Sequence, residues 1–333
     1  MNSLGIDPGT MSFDFCLLND RGDVLDETSI PSPDIMARPG LLVDVVMSRP
    51  ADIVVGPSGY GVPTCALRDA DEAILARLLP ADEGETPVNE GIRASLRLLR
   101  DRGAPVVFTP GVIDLPTVPA SRTFNRFDMG TADKVAVAFL ALSARLEGSG
   151  RSPAEETFVL LEIGAGFTAA LAVSAGRIVD GVGGSMSFGG LNSGGMVDGE
   201  LAYRRGARPY HEVYRYGMAE LDPRPVAVWE PDGEAGRELV ERAAKAALSL
   251  APVVGPGAPI VVSGRLAEMT WVGDAVLTAL APHAPAVLLR RRARQTKAAA
   301  EGSARLGLAF LGGPCAALAV HMGIVAAGWD PAR

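Results

Sequence analysis

Two short glycine turns, each close to a carboxylate at the end of an apolar run, are the segments of this sequence best suited to chemistry. The first reads GIDPGT and contains Asp7, and the second reads EIGAGFT and begins with Glu162. Such turns expose backbone N–H groups to an anion, and the carboxylate can hold Mg²⁺ directly or through water. The pattern predicts bound phosphates, with Asp7 and Glu162 near the metal. The residues predicted to line the phosphates are Gly9, Thr10, Gly164, Ala165, Gly166 and Thr168.

The segments around the two turns share one layout, which predicts an internal duplication. Each runs as strand, glycine turn, strand, second turn and strand, and Glu162 follows Asp7 by 155 residues, as Gly164 follows Gly9. Each half continues with strands and amphipathic helices, and the first half reads βββαβαβα. We therefore predict an α/β protein with two domains, 1–150 and 151–333, and a cleft between them in which the turns face each other.

Composition limits the partners and the compartment. The chain has 333 residues, and its 31 basic and 39 acidic residues give a formal net charge of −8, which argues against nucleic acid as a partner. Three widely separated cysteines form neither a disulfide framework nor a zinc cluster, which suits a reducing cytoplasm. The N-terminus lacks the pattern of a signal peptide. The apolar stretch 309–328 is broken by Gly-Gly-Pro, so we expect two packed helices there and no membrane span.

Two neighbouring segments offer groups for a phosphoryl acceptor. GTADK places Asp133 and Lys134 at a predicted helix start, where the aspartate could take a proton from a hydroxyl and the lysine could neutralise the transferring group. Helix capping and a solvated charge are the alternatives. The preceding loop RTFNRFD carries Arg122, Asn125 and Arg126, which suit an anionic acceptor such as a carboxylate or form a plain surface loop. A carboxylate acceptor needs no base. The arginine loop therefore favours a carboxylate acceptor, whereas Asp133 favours a hydroxyl acceptor.

Three further segments have open interpretations. The glycine-rich segment 181–200 predicts a loop that lines the cleft, with a loose crossover between elements as the alternative. The basic run LLRRRAR (288–294) is expected to face solvent, with a polyanion site as the alternative. The tyrosine- and arginine-rich segment 203–217 suits either an interface or a wall of the acceptor site.

Taken together, the motifs resemble those of the superfamily of acetate and sugar kinases, Hsp70 chaperones and actin. GIDPGT resembles its first phosphate motif, EIGAGFT its second, and IVVSGRL its adenosine motif. ADKVAVAFLA and AEGSARLGLAF resemble its two connecting helices, and GTADK resembles the Gly-x-Asp-Arg segment of type III pantothenate kinases. Within the superfamily the chain is most similar to the prokaryotic butyrate-kinase-like group DUF1464.

The resemblance implies two ribonuclease H-like, actin-like ATPase domains that close on ATP and Mg²⁺, and it makes a homodimer plausible. It also implies that Ser263, Gly264 and Arg265 lie beside the adenosine or its ribose. Two positions depart from the usual motifs, since the second motif usually begins with Asp where this chain has Glu162, and the adenosine motif is often Gly-Gly where this chain has Ser263-Gly264. None of the histidines lies in a motif that matches the functional histidine of acetate and butyrate kinases.

Three classes of function compete. The favoured one is an ATP-dependent kinase of a small molecule, with a short-chain carboxylate as the first acceptor and a hydroxyl compound, such as a sugar or a pantothenate-like molecule, as the alternative. An ATPase switch that acts on a partner protein is the second class, disfavoured because the chain shows no long insertion and no Cys-x-x-Cys. A nuclease is the third, disfavoured by the acidic balance and by the repeated phosphate turn.

Overall fold

The computed structural model describes residues 1–80, 87–206, 212 and 215–332, and the first half of the chain forms a six-stranded sheet. Its strands are β1 (Asn2–Pro8), β2 (Ser12–Asn19), β3 (Val24–Pro31), β4 (Ile53–Val55), β5 (Cys65–Ala66) and β6 (Val106–Phe108), in the order β3-β2-β1-β4-β6-β5. β1, β2 and β3 form the predicted antiparallel meander, while β4 and β6 continue the sheet in parallel with β1.

The second half forms a five-stranded sheet with the same plan. Its strands are β7 (Phe158–Ile163), β8 (Thr168–Ser174), β9 (Arg177–Val182), β10 (Ile260–Ser263) and β11 (Ala286–Leu288), in the order β11-β10-β7-β8-β9. Again the first three strands are antiparallel and the last two run parallel to the first of them. The duplication predicted from the glycine turns is therefore a duplication of sheet topology.

Helices cover both sheets and link the halves. In chain order they are α1 (Ser32–Ala37), α2 (Gly40–Met47), α3 (Glu72–Leu78), α4 (Pro87–Asp101), α5 (Ala132–Leu146), α6 (Gly199–Arg205), α7 (Glu234–Leu248), α8 (Ala251–Val254), α9 (Thr270–Leu280), α10 (Ala298–Phe310) and α11 (Ala316–His321). The stretch 309–328 is divided between α10, α11 and the turns after them, as its Gly-Gly-Pro break predicts. In the part of the chain described here, no helix is long and apolar enough to cross a membrane.

Two helices, α5 and α10, each cross to the other half. α5 shares a core with residues of the second sheet such as Leu160 and Leu171, whereas α10 packs against β1, β2 and β4 of the first sheet. The division at residues 150 and 151 stays a prediction, but the end of the chain returns to the first half, where Thr64 donates a hydrogen bond to the Ile324 carbonyl.

Small residues let α5 and α10 pack at close range. A Cβ atom added at Gly302 would lie 2.3 Å from the Ala136 carbonyl oxygen of α5. One added at Gly5 of β1 would lie 2.0 Å from the Ala300 carbonyl oxygen of α10. The lack of a side chain at these positions brings the starts of both helices to the ends of β1 and β7, where the cleft lies.

Candidate functional site

The two glycine turns meet across a cleft of about 450 Å³ between the halves. The first turn joins β1 to β2, and the Gly9 amide donates to the Ser12 carbonyl at 3.0 Å. The second joins β7 to β8, and the Gly164 amide donates to the Phe167 carbonyl at 2.9 Å. A Cβ atom at Gly166 would lie 3.2 Å from the Thr10 hydroxyl oxygen, so the turns are in direct proximity. The facing turns predicted from the sequence are present.

The cleft collects most of the predicted site residues from both halves. The predicted residues that line it are Asp7, Gly9, Thr10, Asp133, Lys134, Glu162, Gly164, Ala165, Gly166 and Arg265. Thr168 does not line it, because its side chain is only 1% exposed and lies under Gly190 of the glycine-rich loop. That loop braces the second turn, since Asn192 donates to the Ala165 carbonyl at 2.7 Å, and its Ser185 borders the cleft.

At the first turn, Asp7 is held by a lysine that the sequence analysis did not single out. The Lys297 Nζ lies 2.6 Å from Asp7 Oδ2 and 3.2 Å from Asp14 Oδ2, and it donates to the Ser12 carbonyl at 3.1 Å. Asp14 faces Asp7 across the β1–β2 pair and is fully buried. The first turn therefore contains two carboxylates and one ammonium group.

At the second turn, Glu162 is held by the predicted Lys134. The Lys134 Nζ lies 2.6 Å from Glu162 Oε2 and also contacts Asp133, which accepts a hydrogen bond from the Thr131 hydroxyl. Lys134 and Asp133 sit in the first turn of α5, and Glu162 is in β7. Both glycine turns thus have a carboxylate paired with a lysine from the start of a crossing helix.

Burial and pairing shift the pKa values of these groups in different directions. Burial raises the pKa of Asp7 and of Glu162 above their ordinary values, although Lys297 and Lys134 oppose the rise. Burial also acts to raise the pKa of Asp133, but Lys134 and the Thr131 hydroxyl outweigh it and the pKa lies below its usual value. Both lysines have raised pKa values, because their carboxylate partners outweigh the burial that opposes the charge. The two lysines are therefore ammonium ions at neutral pH.

The residues predicted near adenosine have different surroundings. Ser263 is buried beside Glu162 in the sheet and Gly264 has φ of 102°, where an added Cβ would lie 2.4 Å from the Ile163 carbonyl oxygen. Arg265 crosses to the first half, where its Nη2 lies 3.3 Å from Asp14 Oδ2. Of the three, Arg265 alone lines the cleft among the residues described. Their adenosine role stays a prediction.

The arginines predicted to bind the acceptor are engaged elsewhere. Arg122 donates to the Val179 carbonyl at 2.7 Å and Arg126 to the Gly181 carbonyl at 3.3 Å, so both bind the backbone of β9. Asn125 is exposed, with φ of 56°. None of the three lines the described cleft, because hydrogen bonds to β9 hold the loop to the second sheet. Arg122, Asn125 and Arg126 thus lie outside the described cleft, and their role toward an acceptor stays a prediction.

One compositional signal could have pointed to Lys297. The 31 basic residues comprise 28 arginines and three lysines, namely Lys134, Lys245 and Lys297. Two of the three lysines lie in the cleft, each with a side chain less than one-fifth exposed. The scarcity of lysine could therefore have drawn attention to Lys134 and Lys297, whose ammonium groups are compact point charges.

The donor set suits Mg²⁺ brought by a nucleotide. Asp7 and Glu162 offer the carboxylate oxygens that this ion prefers, and Mg²⁺ is usually held by one or two carboxylates together with substrate phosphates. Over the described ranges, no three acidic, histidine or cysteine side chains converge to form a cage of their own. The residues therefore fit a metal that is completed by phosphates, and the role of Asp7 and Glu162 as its protein ligands stays a prediction.

Comparison with protein families gives the affiliation. A family model described as a protein of unknown function, DUF1464, matches residues 5–328 and so includes both glycine turns. The chain belongs to the DUF1464 family. A search of curated proteins finds no sequence match.

Solved structures share the architecture of this DUF1464 protein. Acetate kinase from Porphyromonas gingivalis has a TM-score of 0.60 at 15% identity, over 93% of this chain and 99% of that one. Acetate kinase from Entamoeba histolytica has a TM-score of 0.57 at 11% identity, over 84% of this chain and 86% of that one. A ROK family glucokinase from Streptomyces griseus, solved with glucose and AMPPNP, has a TM-score of 0.51 at 15% identity, over 92% of this chain and 99% of that one. These similarities confirm the predicted fold of two ribonuclease H-like, actin-like ATPase domains.

Proposed function

We propose that this DUF1464 protein is an ATP-dependent phosphotransferase that moves the γ-phosphoryl group to a small acceptor. The observation that supports it most is the pair of facing glycine turns, each with a lysine-paired carboxylate beside it. Backbone N–H groups from the two turns are suited to hold a phosphate chain from both sides. Because phosphoryl transfer depends mainly on positioning and charge stabilisation, this arrangement suits the chemistry.

The charge of the cleft calls for a divalent cation. Its described lining holds four carboxylates, Asp7, Asp128, Asp133 and Glu162, against three cations, Lys134, Arg265 and Lys297. A polyanionic triphosphate would be repelled by this balance. When bound through Asp7 and Glu162, Mg²⁺ supplies neutralisation of the phosphate charge. Lys134 lies between Asp133 and Glu162, where its ammonium group can offset charge on the transferring phosphoryl group.

The acceptor would occupy the arm of the cleft that belongs to the first half. Leu78, Leu79 and Ile92 give this arm an apolar wall, and Ser58 and Thr109 add hydroxyl groups. Each cation of the described lining is already paired with a carboxylate, and Arg122 and Arg126 bind β9 instead. We therefore favour a hydroxyl acceptor with an apolar body over the short-chain carboxylate that the sequence favoured.

For a hydroxyl acceptor, we expect Asp133 mainly to orient the hydroxyl, whereas the sequence predicted that it removes the proton. Its low pKa makes it a weak base, but the loose transition state of phosphoryl transfer asks for little proton removal before the bond to the phosphoryl group forms. Its carboxylate, fixed by Thr131 and Lys134, can accept the acceptor's hydroxyl hydrogen and aim its oxygen. The apolar wall would also suit the alkyl chain of a short acid, so both acceptor classes are to be tested.

The test measures ADP formation from Mg-ATP with matched sets of alcohols, polyols, sugars and short-chain acids, with hydroxylamine present in parallel reactions. Hydroxylamine converts acyl phosphates to hydroxamates, so it separates the acceptor classes. ADP formation that requires an alcohol and yields no hydroxamate would support the proposal. Hydroxamate formation would assign a carboxylate acceptor. ADP release that no acceptor changes would indicate an ATPase switch, and absence of both nucleotide binding and turnover would refute the proposed function.

A further inference from the structure

The ammonium group of Lys297 occupies a built position at the first glycine turn. Its contacts with Asp7, Asp14 and the Ser12 carbonyl use the three hydrogens that an ammonium group can donate. A Cβ atom at Gly9 would lie 2.1 Å from the Lys297 Nζ, so the ammonium rests where a side chain at Gly9 would have to go. The absence of a side chain at Gly9 therefore admits the lysine as well as leaving the turn open to phosphate.

The backbone that carries Lys297 is anchored to the first sheet by a carboxylate of β3. Glu27 accepts hydrogen bonds from the amides of residues 294, 295 and 296 at 3.1, 2.8 and 2.9 Å, and from the Thr296 hydroxyl at 2.8 Å. Four hydrogen bonds to one side chain fix the segment directly before Lys297. The lysine is thus presented to the turn by a rigid support.

The basic run 288–294 also helps to fix the segment before Lys297. Arg291 pairs with Glu268, and Arg292 pairs with Glu147 at 2.7 Å. The fully buried Glu301 of α10 accepts hydrogen bonds from the amides of residues 292 and 293. Arg290, Arg292 and Arg294 of the run are exposed to solvent, as expected, and the ion pairs of Arg291 and Arg292 also hold the entry into α10.

The position is suited to lysine and not to arginine. Lysine ends in a compact point charge with three donors, whereas the guanidinium group of arginine is a wide planar fork. The narrow space over Gly9 and the three acceptors around one nitrogen match the compact group. This accounts for a lysine in a chain whose other 30 basic residues include 28 arginines.

We propose that Lys297 is a positioning residue for phosphoryl transfer, which holds the Asp7 carboxylate in place at the first turn as Lys134 holds Glu162 at the second. In both pairs the lysine and the carboxylate come from different halves of the chain. Lys297 directly precedes α10 of the second half and reaches the first turn, and Lys134 lies in α5 of the first half and reaches the second turn. This inference rests on the proposed function. It adds that the site needs two lysines, one for each turn.

The first test compares Lys297→Met with Lys245→Met, whose side chain is 57% exposed on α7. In the full chain, kcat for ADP formation should fall about 10²-fold in Lys297→Met, because the reacting groups lose their alignment. KM for ATP should stay within about threefold, as for a group that acts in the transition state and not in nucleotide binding. Lys245→Met should match the wild type. A Lys297→Met protein with wild-type kcat, or one that changes KM alone, overturns the proposal.

A second comparison guards against loss of folding, since Lys297→Met leaves two buried carboxylates facing each other. Asp14→Asn removes one of the two charges, and Asp14→Asn with Lys297→Met should have a kcat about 10-fold or more below that of Asp14→Asn alone. Equal activity of these two variants overturns the positioning role. Lys297→Arg should also be impaired, and full activity would overturn the need for a compact charge.

The wild-type protein separates the two proposals. If it neither binds Mg-ATP nor forms ADP, the proposed function fails and the role of Lys297 fails with it. If the wild type is active and Lys297→Met is equally active, the proposed function stands and the role of Lys297 alone is refuted.

Discussion

Lys134 of α5 and Glu162 of β7 are joined across the two halves of the chain, with Nζ and Oε2 2.6 Å apart. Both side chains are largely buried in the cleft wall. In such surroundings a charge left without its partner is costly, because water cannot replace the lost contact. The geometry of this pair should therefore matter more than the mere presence of the two charges.

Glu162→Asp tests whether activity depends on the geometry of the Lys134–Glu162 pair. The variant keeps the charge but is one methylene shorter, so it should lose the direct contact with Lys134 and lower kcat by about 10-fold or more. The matched control is Glu241→Asp, which shortens one side of an exposed pair with Lys245 at 3.7 Å and should have no effect. Steady-state kinetics at saturating Mg²⁺ gives the comparison. Wild-type kcat in Glu162→Asp would contradict the requirement for contact.

The acid side of the pH–activity profile should be set by Asp7 and Glu162. Burial raises the pKa values of both above the ordinary 3.8 and 4.5. A raised pKa means that each group takes up its proton at a higher pH, so activity should be full above these values and fall as pH decreases through them. The acid limb, which is the part of the plot of log kcat against pH where activity falls with decreasing pH, should thus lie at a higher pH than for carboxylates with ordinary pKa values.

Asp133 serves as the comparison for that profile, since its pKa is lowered. Asp133→Asn should reduce kcat and move the limb to lower pH, because the charge of Asp133 contributes to the raised pKa values of Asp7 and Glu162. Glu162→Gln should leave a limb that is set by Asp7 alone. An unchanged limb in both variants would contradict the assignment of the titration to these groups. The measurement is kcat over the pH range in which circular dichroism shows the protein to be folded.

Gly9→Ala should disturb Lys297 without altering any charge. The new Cβ would lie 2.1 Å from the ammonium nitrogen, which must move away from Asp7. We expect kcat to fall by about 10²-fold. Gly40→Ala, at the start of α2 with no atom within 4 Å of the new Cβ, is the control and should leave kcat unchanged. Equal activity of the two variants would show that the lysine tolerates displacement.

Glu27→Gln should change how stability depends on pH. Burial acts to raise the pKa of Glu27, but hydrogen bonds from the backbone of residues 294–296 outweigh it and the pKa lies below its ordinary value of 4.5. The carboxylate therefore stabilises the fold above pH 4.5, and this stabilisation is lost as pH falls through the lower folded value.

The expected result is a smaller drop in the free energy of unfolding below pH 4.5 in Glu27→Gln than in the wild type. Urea unfolding at a series of pH values measures it. Glu200→Gln, at an exposed pair with Arg204 on α6, is the control and should follow the wild-type curve. Parallel curves for the wild type and Glu27→Gln would mean that the anchor contributes nothing in this window.

Gly302→Ala should destabilise the packing of α10 against α5. The added methyl would lie 2.3 Å from the Ala136 carbonyl oxygen, so the helices must separate. We expect a loss of roughly 1–3 kcal/mol in the free energy of unfolding. Gly199→Ala, at the start of α6 with open space around the new Cβ, should change stability by less than about 0.5 kcal/mol. An unfolding midpoint for Gly302→Ala equal to that of the control would contradict the close approach.

The features that depend on local spacing could be predicted from the sequence. The two carboxylate–glycine turns, their interval of 155 residues and the meander around each followed from periodicity and turn chemistry. The position of Asp133 and Lys134 at the start of a helix followed in the same way. These predictions succeeded because strand alternation and glycine turns are written in neighbouring residues.

Which charged side chains meet depends on the packing of the whole chain and could not be predicted from the sequence. Lys297 reaches Asp7 across most of the chain length, and Arg122 and Arg126 bind β9 instead of lining the cleft. A long charged side chain can reach any carboxylate or carbonyl group within several ångströms, so its partner depends on how the helices and sheets pack and not on its neighbours in sequence. The crossing of α5 and α10 therefore determined the second lysine of the site.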